Sequence, residues 1–490
     1  MTKFDELIEG MVQGQNWAYM GNKEEKVDKL LESVYDERYH SASYNKERFQ
    51  IRVNLQKKED VASYAGWITA ENNEKSGQYQ GTSFVWFPGE GGSVAVLVIG
   101  TGGFGADTSI LGRPGHGRRL RALSRLSRGR IWVKPDLLDI TNEVPAVVSQ
   151  KWPEIAAALK SYGRFIYAAT VVRSQEDALA VADLLDLFFH EHNTPLTGDA
   201  RKRWAGRLDD IAGCVFPSIS EESVLSILRE RRFVILDGPP GTGKTRLAYR
   251  IGKKIGSATH VQFHAARTYE DFVIGLFSKP TSEGLAFEVR HGDLLKANNI
   301  SKDKEHVLVI DEINRADLAR VLGEAIGLFE SGESARSVCL PHALDGDKRE
   351  FTLSPNLFVL GTRNTADRSI ARMDIAIRRR FAFIEMWPAL DVVEKEGVDL
   401  AKRIFLDVIH TFAEMADEDT LRLVPGHAYF LDPRPDLEKT DRPTRVAHRM
   451  EYELLPLLRH YLDEKICGVA SEAIAGLADR IEAEILGFKK

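Results

Sequence analysis

The chain has 490 residues, of which 43% are hydrophobic and 28% are charged, and its formal net charge is −6. At roughly 100–200 residues per domain this length predicts about three domains, with the composition of a soluble globular protein. The slightly acidic balance excludes nucleic-acid binding through bulk charge, so any such site must be a local basic patch.

The sequence carries no predicted targeting or membrane segment. Asp5 and Glu6 stand where a signal peptide would need an apolar core, and the apolar runs are too short to span a bilayer. The three cysteines form no CxxC pair, which disfavours a disulfide framework or a cysteine-based zinc site. We therefore expect a cytoplasmic protein with no membrane partner.

Residues 1–200 are predicted to form a separate α+β recognition or adaptor domain. Its first helical pattern covers Glu24 to Tyr39, and a second covers Glu176 to His190. Between them lie three strand-like runs, namely Arg48 to Leu55, Ser83 to Phe87 and Ser93 to Ile99. The glycine-rich Pro88–Gly92 stretch predicts a hairpin between the last two runs.

A run of basic residues in this domain has no acid within it. It consists of Arg113, Arg118, Arg119, Arg121, Arg125, Arg128, Arg130 and Lys134. These residues are candidates for contacts with the DNA backbone, and the alternatives are a solvated helix face or a dock for an acidic partner.

Aromatic and histidine side chains offer two weaker hypotheses. An aromatic cage for a base would use Trp67, Phe84, Trp86 and Phe87, although alternating aromatics on strands more often belong to the core. His190 with His192, and His260 with His264, have a spacing suited to a metal, but no third ligand is evident.

Residues 205–388 alternate strand and helix, which predicts a parallel sheet covered by helices on both faces. A capping box at Ser218 to Glu221 opens a helix through about Arg231. The predicted strands are Phe233 to Leu236, Thr259 to Phe263, His306 to Ile310 and Leu357 to Gly361. A helix is predicted from Ala316 to Glu330, and a turn at Asp345-Gly346.

A phosphate-binding loop follows the first of these strands. Its GxxxxGK[ST] pattern comprises Gly238, Pro239, Pro240, Gly241, Thr242, Gly243, Lys244 and Thr245, directly before a helix. The glycines let successive N–H groups point at the phosphates, and the helix N-terminus adds its positive dipole end. We expect Lys244 to pair with the β- and γ-phosphates and the Thr245 hydroxyl to bind Mg²⁺.

Polar side chains end two further strands at the same predicted edge. Asp311 follows the apolar run Val307 to Ile310 and would hold the Mg²⁺ shell, while Glu312 would orient and polarise the attacking water. Asn364 ends the next strand and is suited to bridging the γ-phosphate and that water. The pattern predicts a nucleoside triphosphatase of the AAA+ class.

Three arginines close a short predicted helix before Phe381. In the simpler interpretation these cations satisfy the helix C-terminus. In the other interpretation Arg379 or Arg380 reaches the γ-phosphate of a neighbouring subunit, where charge builds in the transition state. A residue that acts across a subunit boundary requires a homo-oligomer, and we therefore predict a ring.

Residues 389–490 are mostly helical by pattern and are predicted to form a lid. Several segments between Ser218 and Leu462 resemble the McrB family, the motor subunits of modification-dependent restriction systems. They are Asp311–Ala316, Asn364–Ser369, Arg378–Phe381, Gln262–His264, Tyr269–Phe272, Gly426–Phe430 and Tyr452–Leu458.

This resemblance implies a hexamer whose hydrolysis of GTP, or of ATP, drives translocation on DNA. It also implies a McrC-like partner that carries the nuclease, and it makes Arg315, Arg379 and Arg380 candidates for action between subunits. A rival reading is a remodelling ATPase similar to the MoxR and dynein-related branch, with protein partners. A third, a slow nucleotide-dependent switch, is disfavoured because Glu312 and Asn364 are both present.

Overall fold

The structure is a computed structural model that describes residues 2–18, 23–39, 49–55, 63–69, 82–99, 108–137, 144–156, 163–282, 284–330, 336–344, 346–366 and 375–489. The chain forms two compact units: Met1–Val215 with His410–Asp417, and Phe216–Ile409 with Glu418–Lys490. Within the described ranges no helix has both the length and the apolar character needed to cross a membrane.

The first unit is built on an antiparallel sheet of six strands, which confirms the predicted α+β domain. In chain order the strands are Phe49–Asn54, Tyr64–Thr69, Thr82–Gly89, Gly92–Ile99, Ile131–Val133 and Ile166–Val172, and in the sheet the sixth lies between the fourth and the fifth. The predicted hairpin is present, because Gly89 pairs with Gly92. The strand Ile131–Val133 is an edge of the sheet.

Helices bury one face of this sheet. In the described part of residues 1–215, α-helices lie at Lys3–Gln13, Gln15–Ala18, Lys23–Arg38, Thr108–Leu111, Pro114–Leu126, Ala146–Lys151, Ala178–Glu191 and Gly198–Val215, with 3₁₀ turns at Gly163–Phe165 and Gln175–Asp177. Trp67, Phe84 and Trp86 lie in this core at 1% exposure or less, and Phe87 lies in the core of the opposite face at 4%. The predicted aromatic cage is therefore wrong, because alternate residues of a two-faced sheet fill its two cores.

The second unit contains the predicted parallel sheet, which has a fifth strand, Ala382–Glu385, beside the four that the sequence predicted. Across the sheet the strands run Ala382–Glu385, Phe233–Gly238, Leu357–Asn364, His306–Asp311 and Ala258–Gln262. Two apolar clusters cover its faces, one with the helices Glu221–Arg231 and Lys244–Ile255 and the other with the helices Asp293–Ser301 and Leu318–Leu322. Two antiparallel pairs, Ile274–Thr281 with Gly284–His291 and Val338–Cys339 with Glu350–Phe351, lie outside this sheet.

The remainder of the unit is helical, which confirms the C-terminal helices. The other α-helices are Tyr269–Phe272, Ile375–Arg378, Leu390–Glu396, Asp399–Met415, Glu418–Leu421, Arg442–Arg449, Leu455–Asp463 and Ser471–Lys489. Shorter turns occur at Ile313–Arg315, Gly323–Leu328, His427–Phe430, Lys439–Asp441 and Gly468–Ala470, and Met450–Leu454 is a π-helical segment.

Two local predictions in this unit are wrong. The helix expected from Ala316 to Glu330 is broken, because Asp317 caps a new helix through the N–H of Arg320 and Gly323 takes a φ of +51°. The helix cap is Ser220 rather than Ser218, since the Ser220 hydroxyl accepts the N–H of Ser223 at 3.1 Å. Asp345 of the predicted turn lies outside the described residues.

Candidate active site

The phosphate loop joins the strand Phe233–Gly238 to the helix Lys244–Ile255. Gly241 and Gly243 have φ values of +78° and +77°, a left-handed conformation that disfavours residues with a side chain. The loop therefore curls over the start of the helix. The Lys244 ammonium donates to the carbonyl oxygens of Gly238 at 2.8 Å and Pro239 at 2.5 Å.

Lys244 is a desolvated cation in this loop. Its side chain is buried, and burial lowers its pKa to about 8, while the carboxylates of Asp237, Asp311 and Glu312 act in the opposite direction. The acceptors of its shortest hydrogen bonds are neutral backbone oxygens. An anion bound in the loop would stabilise the charged form and raise the pKa of Lys244 again, which is the behaviour required of a phosphate-binding lysine.

The next side chains fit a magnesium ion. The Thr245 hydroxyl donates to the Asp311 carboxylate at 2.8 Å, and the Thr362 hydroxyl donates to the same carboxylate oxygen. Hydroxyl and carboxylate oxygens are the donors that Mg²⁺ prefers, and the ion usually keeps the rest of its shell for water and phosphate. The pair Thr245 and Asp311 is thus suited to hold the metal beside the loop.

Glu312 is fixed by both its backbone and its side chain. Its φ is +54°, which costs about 1–3 kcal/mol for a residue with a side chain, and its N–H donates to the Thr362 hydroxyl at 3.1 Å. The carboxylate accepts from Gln262 Nε2 at 3.1 Å and pairs with Arg315 Nε at 2.8 Å. The backbone is held in a strained conformation, and the carboxylate lies at the same sheet edge as Asp311.

Asn364 lies at the start of the phosphate loop. Parallel pairing sets it opposite Gly238, and the following N–H, that of Thr365, donates to the Gly238 carbonyl at 3.1 Å. Its amide oxygen accepts the N–H of Ala366 at 3.1 Å. Asp367, Arg368 and Ser369 of the same motif lie outside the described residues.

The segment Gly426–Phe430 packs directly on the phosphate loop. The N–H groups of Gly426 and Ala428 donate to the carbonyls of Pro240 and Gly241, each at 2.9 Å. A Cβ at Gly426 would lie 2.0 Å from the carbonyl carbon of Gly241, so only glycine permits this approach. The loop is thus braced from the helical part of the unit.

His427 in this segment is a neutral imidazole. Its Nδ1 accepts the N–H of Ala389 at 3.2 Å, which leaves the proton on Nε2, and that atom lies 3.3 Å from where a Cβ of Gly243 would be. The pKa of His427 is lowered to about 4, chiefly by burial; the charges of Arg246 and Lys244 act in the same direction and that of Asp391 in the opposite one. The Nε2–H group is therefore a hydrogen-bond donor directly beside the loop.

A cavity of about 490 Å³ adjoins the loop within the second unit. Thr242, Gly243 and His427 form its side towards the phosphates, and Ile219 and Trp387 are among its other walls. This size falls within the range of about 300–1,000 Å³ that small-molecule ligands use. The cavity is suited to the base and ribose of a nucleotide whose phosphates enter the loop.

The predicted inter-subunit arginines differ in accessibility. Arg379 is 65% exposed and lies 3.8 Å from Glu330, whereas Arg380 is only 10% exposed and pairs with Glu330 at 3.3 Å. Arg315 is 46% exposed and pairs with Glu312. Among these residues Arg379 has the greatest access to solvent.

The structure contradicts a continuous DNA-contact surface along the basic run. Arg119 is 3% exposed and pairs with Glu191 at 2.6 Å and with Glu414 at 2.5 Å. Arg113 also pairs with Glu191, and Arg118 donates to the carbonyls of Ala413 and Ala416. The carboxylates that neutralise Arg113 and Arg119 are distant in the sequence, so the local absence of acids was misleading.

The rest of the basic run divides in the same way. Arg130 pairs with Glu176 and Asp177, and Lys134 is buried at 3% exposure. Arg121, Arg125 and Arg128 are exposed. Arg130 is also exposed, at 43%, but carboxylates neutralise it, whereas the structure shows no ion pair for Arg121, Arg125 and Arg128 among the described residues.

The candidate histidine pairs make other contacts. His192 Nε2 lies 2.9 Å from the Thr82 hydroxyl, and the ring of His260 stacks on Tyr249 at 3.9 Å. In the described part of the chain no group of three histidine, cysteine or acidic side chains is arranged to bind a metal.

Sequence reasoning missed three residues of the site. Thr362 was detectable, because it lies two residues before Asn364 and alternate residues of a strand share a face. Gln262 ends the neighbouring strand at the same edge. His427 had no local signal beyond the family-like segment, since its position depends on how the helical part folds back on the loop.

A parallel sheet in this strand order, with a phosphate loop after the strand Phe233–Gly238 and two acids after its neighbour His306–Asp311, defines a P-loop NTPase domain of the AAA class. Residues 233–381 match the family model of the AAA domain, dynein-related subfamily.

Two curated relatives extend this match. The chain is 30% identical over 297 residues to the Type IV methyl-directed restriction enzyme EcoKMcrB subunit of Escherichia coli K12, covering 57% of this chain and 64% of that protein. It is 29% identical over 202 residues to the Type II restriction enzyme BsuMI component YdiS of Bacillus subtilis 168, covering 33% of this chain and 58% of that protein. The chain thus spans less than two thirds of either relative. Residues 233–381 are thus similar to the dynein-related AAA subfamily, and the aligned part of the chain is similar to the McrB subunit.

Proposed function

We propose that the chain hydrolyses a nucleoside triphosphate, GTP or ATP, with Mg²⁺ as cofactor. The observation that carries this proposal is the meeting of Lys244, Thr245, Asp311, Glu312 and Asn364 at one edge of the parallel sheet. The resemblance to the McrB family favours GTP over ATP as the substrate.

Each side chain has a distinct role in this proposal. Lys244 neutralises the β- and γ-phosphates, and the bound metal supplies further positive charge for the developing negative charge. Thr245 and Asp311 hold that metal. Glu312 orients and polarises the attacking water, and Asn364 binds that water and the γ-phosphate.

The oligomeric state and the partners are part of the same proposal. An exposed Arg379 at the end of a short helix is suited to reach a triphosphate in a neighbouring copy, which requires a ring, hexameric by resemblance. Both curated relatives are named as parts of restriction enzymes. The ring would accordingly act on DNA with a McrC-like nuclease subunit that makes the cut.

Replacement of Glu312 by Gln tests the catalytic core. The amide keeps the shape but removes the base, so nucleotide should still bind while hydrolysis falls by about 10²–10⁴-fold. Binding is measured with a fluorescent triphosphate analogue and turnover by phosphate release. Glu305→Gln, an exposed acid paired with Arg229 at 3.4 Å, is the control and should keep full activity. Undiminished turnover in Glu312→Gln would remove the role assigned to this residue.

The alternative function is a remodelling ATPase that acts on protein partners. This alternative is supported by the family model that matches residues 233–381, which describes a dynein-related subfamily. The two functions differ in what stimulates hydrolysis. DNA and a McrC-like subunit should raise turnover if the chain is a restriction motor, whereas insensitivity to both would favour the remodelling function.

A further inference from the structure

An open cleft of about 440 Å³ lies at the exposed edge of the sheet in the first unit. Trp132 of the edge strand forms one wall, and Val147, Lys151 and Trp152 form another. Arg121 and Arg125 of the helix Pro114–Leu126 complete it. The volume is within the range of about 300–1,000 Å³ that is usual for small-molecule sites.

The walls of this cleft are flat and aromatic. Trp132 and Trp152 are half-buried against the apolar cluster on the sheet face that carries Phe87, so each indole is held in place and remains partly open to solvent. The Lys151 ammonium lies 5.1 Å from the centre of the Trp152 ring. Val147 adds apolar surface at 69% exposure. Such surfaces stack planar rings.

The charged residues that line the cleft are all positive. Arg121, Arg125 and Lys151 line it, and no Asp or Glu is present among the described lining residues. Arg121 and Arg125 are one helical turn apart, a spacing at which like charges repel. Arg121 donates to the neutral carbonyl of Pro135 at 3.0 Å. This differs from Arg119 of the same helix, which two carboxylates neutralise.

A planar ring surface beside a cluster of cations is complementary to a nucleotide. We propose that this cleft binds one unpaired nucleotide, whose base stacks on Trp132 and Trp152 and whose phosphate is paired by Arg121, Arg125 and Lys151. A single-stranded DNA and a free nucleoside monophosphate both carry this chemistry. The choice of DNA as the source of this nucleotide rests on the proposed function. The proposal that the cleft binds a nucleotide does not rest on it.

Charge reversal tests the phosphate contacts in the full-length chain. Arg125→Glu and Lys151→Glu change exposed residues, and Lys202→Glu, an 84% exposed lysine of the same unit, is the matched control. The probes are a fluorescein-labelled single-stranded DNA of mixed sequence, followed by anisotropy, and deoxycytidine monophosphate, followed by calorimetry. Each cleft variant should weaken binding at least about tenfold and reduce the salt dependence of log K by about 0.7 per lost contact.

Two substitutions of Trp132 test the stacking. Trp132→Leu should weaken binding by roughly 5- to 150-fold, and Trp132→Phe, which keeps an aromatic face, should retain most of it. Thermal unfolding of each variant shows whether the unit is still folded. If Leu and Phe bind equally well in folded protein, the ring does not stack on the base and the proposal is wrong.

The outcomes distinguish DNA from a free nucleotide as the ligand. They also distinguish failure of the cleft proposal from failure of the proposed function. Loss of strand binding in the cleft variants supports the site with DNA as its source, and loss of monophosphate binding alone supports it with a free nucleotide. If neither probe is bound more weakly by the cleft variants than by Lys202→Glu, the proposal is overturned. Triphosphate hydrolysis by the wild-type chain is measured in parallel, so failure of that activity is recognised independently of the cleft.

Discussion

At the scale of one residue, Lys244 of the phosphate loop shows what it costs to bury a cation. Its ammonium is buried against the carbonyls of Gly238 and Pro239, and burial brings its pKa from 10.5 to about 8. Below pH 8 the folded and unfolded chains both carry the proton, so the full cost of burying the charge is present. Between pH 8 and 10.5 the folded chain releases its proton first, and stability rises with pH.

This linkage gives a prediction for the nucleotide-free protein. Relative to Lys244→Met, the wild type should gain up to about 3 kcal/mol of unfolding free energy between pH 8 and 10.5. Urea unfolding at a series of pH values measures the difference. Saturating Mg²⁺ and a triphosphate should reduce the gain, because the phosphates keep the lysine charged. A difference that does not change with pH would contradict the buried-cation account.

At the scale of elements, the contact between the phosphate loop and the segment Gly426–Phe430 depends on a single missing side chain. In Gly426→Ala the new Cβ would meet the backbone of Gly241 at 2.0 Å, so the segment must move and its hydrogen bonds to the loop must lengthen. We expect a stability loss of about 1–3 kcal/mol and weaker triphosphate binding.

Thermal unfolding and titration with a fluorescent triphosphate analogue check this prediction. Gly476→Ala is the matched control, because Gly476 lies within the helix Ser471–Lys489 and the nearest atom to its Cβ is Arg480 Nη1 at 3.6 Å. That change should stabilise the protein by about 0.5–1 kcal/mol and leave binding unchanged. Equal affinities in the two variants would mean that the segment does not brace the loop.

The elements that the sequence predicted are those with strong local signals. The strands Phe233–Gly238 and His306–Asp311 are continuous apolar runs with polar ends, and the phosphate loop has its glycines at fixed positions. The hairpin Ile274–Thr281 with Gly284–His291 was missed, because much of it is exposed and it lacks regular alternation.

Other parts of the site had no local signal. The helix predicted from Ala316 failed because Gly323 turns against the ring of Tyr269, which is a tertiary contact. In the same way, the ion-pair partners of Arg113 and Arg119 are Glu191 and Glu414, which lie far along the chain. Periodicity reports which face of an element is apolar, but it does not report which distant charge will meet an arginine.

At the scale of the whole molecule, the proposed ring requires that one copy complete the site of the next. Arg379→Ala should lower hydrolysis by about 10³-fold or more, since an arginine supplied to the transition state has effects of that size. Arg378→Ala is the control, because that side chain stacks on Phe383 at 5.6 Å in the same chain. Arg380→Ala should mainly reduce thermal stability, since Arg380 is nearly buried beside Glu330.

Mixing of inactive variants tests action between copies. Arg379→Ala and Glu312→Gln are each expected to be inactive alone. In a mixed ring, some sites combine the intact Glu312 of one variant with the intact Arg379 of the neighbouring copy. Turnover should therefore reappear in the mixture and should depend on the ratio in which the two variants are mixed. A mixture as inactive as its components would indicate that Arg379 acts within its own chain, or not at all.

The carboxylate of Glu414 has a consequence for any attempt to isolate the first unit. The helix Asp399–Met415 begins in the sequence of the second unit, yet its last residues, with Ala416 and Asp417, belong to the first. A fragment that stops at Val215 would strip Arg119 of one of its two counterions and Arg118 of both carbonyl acceptors. The first unit is therefore completed by the eight residues His410–Asp417, which follow Val215 by almost two hundred positions, and a fragment meant to represent this unit has to include them.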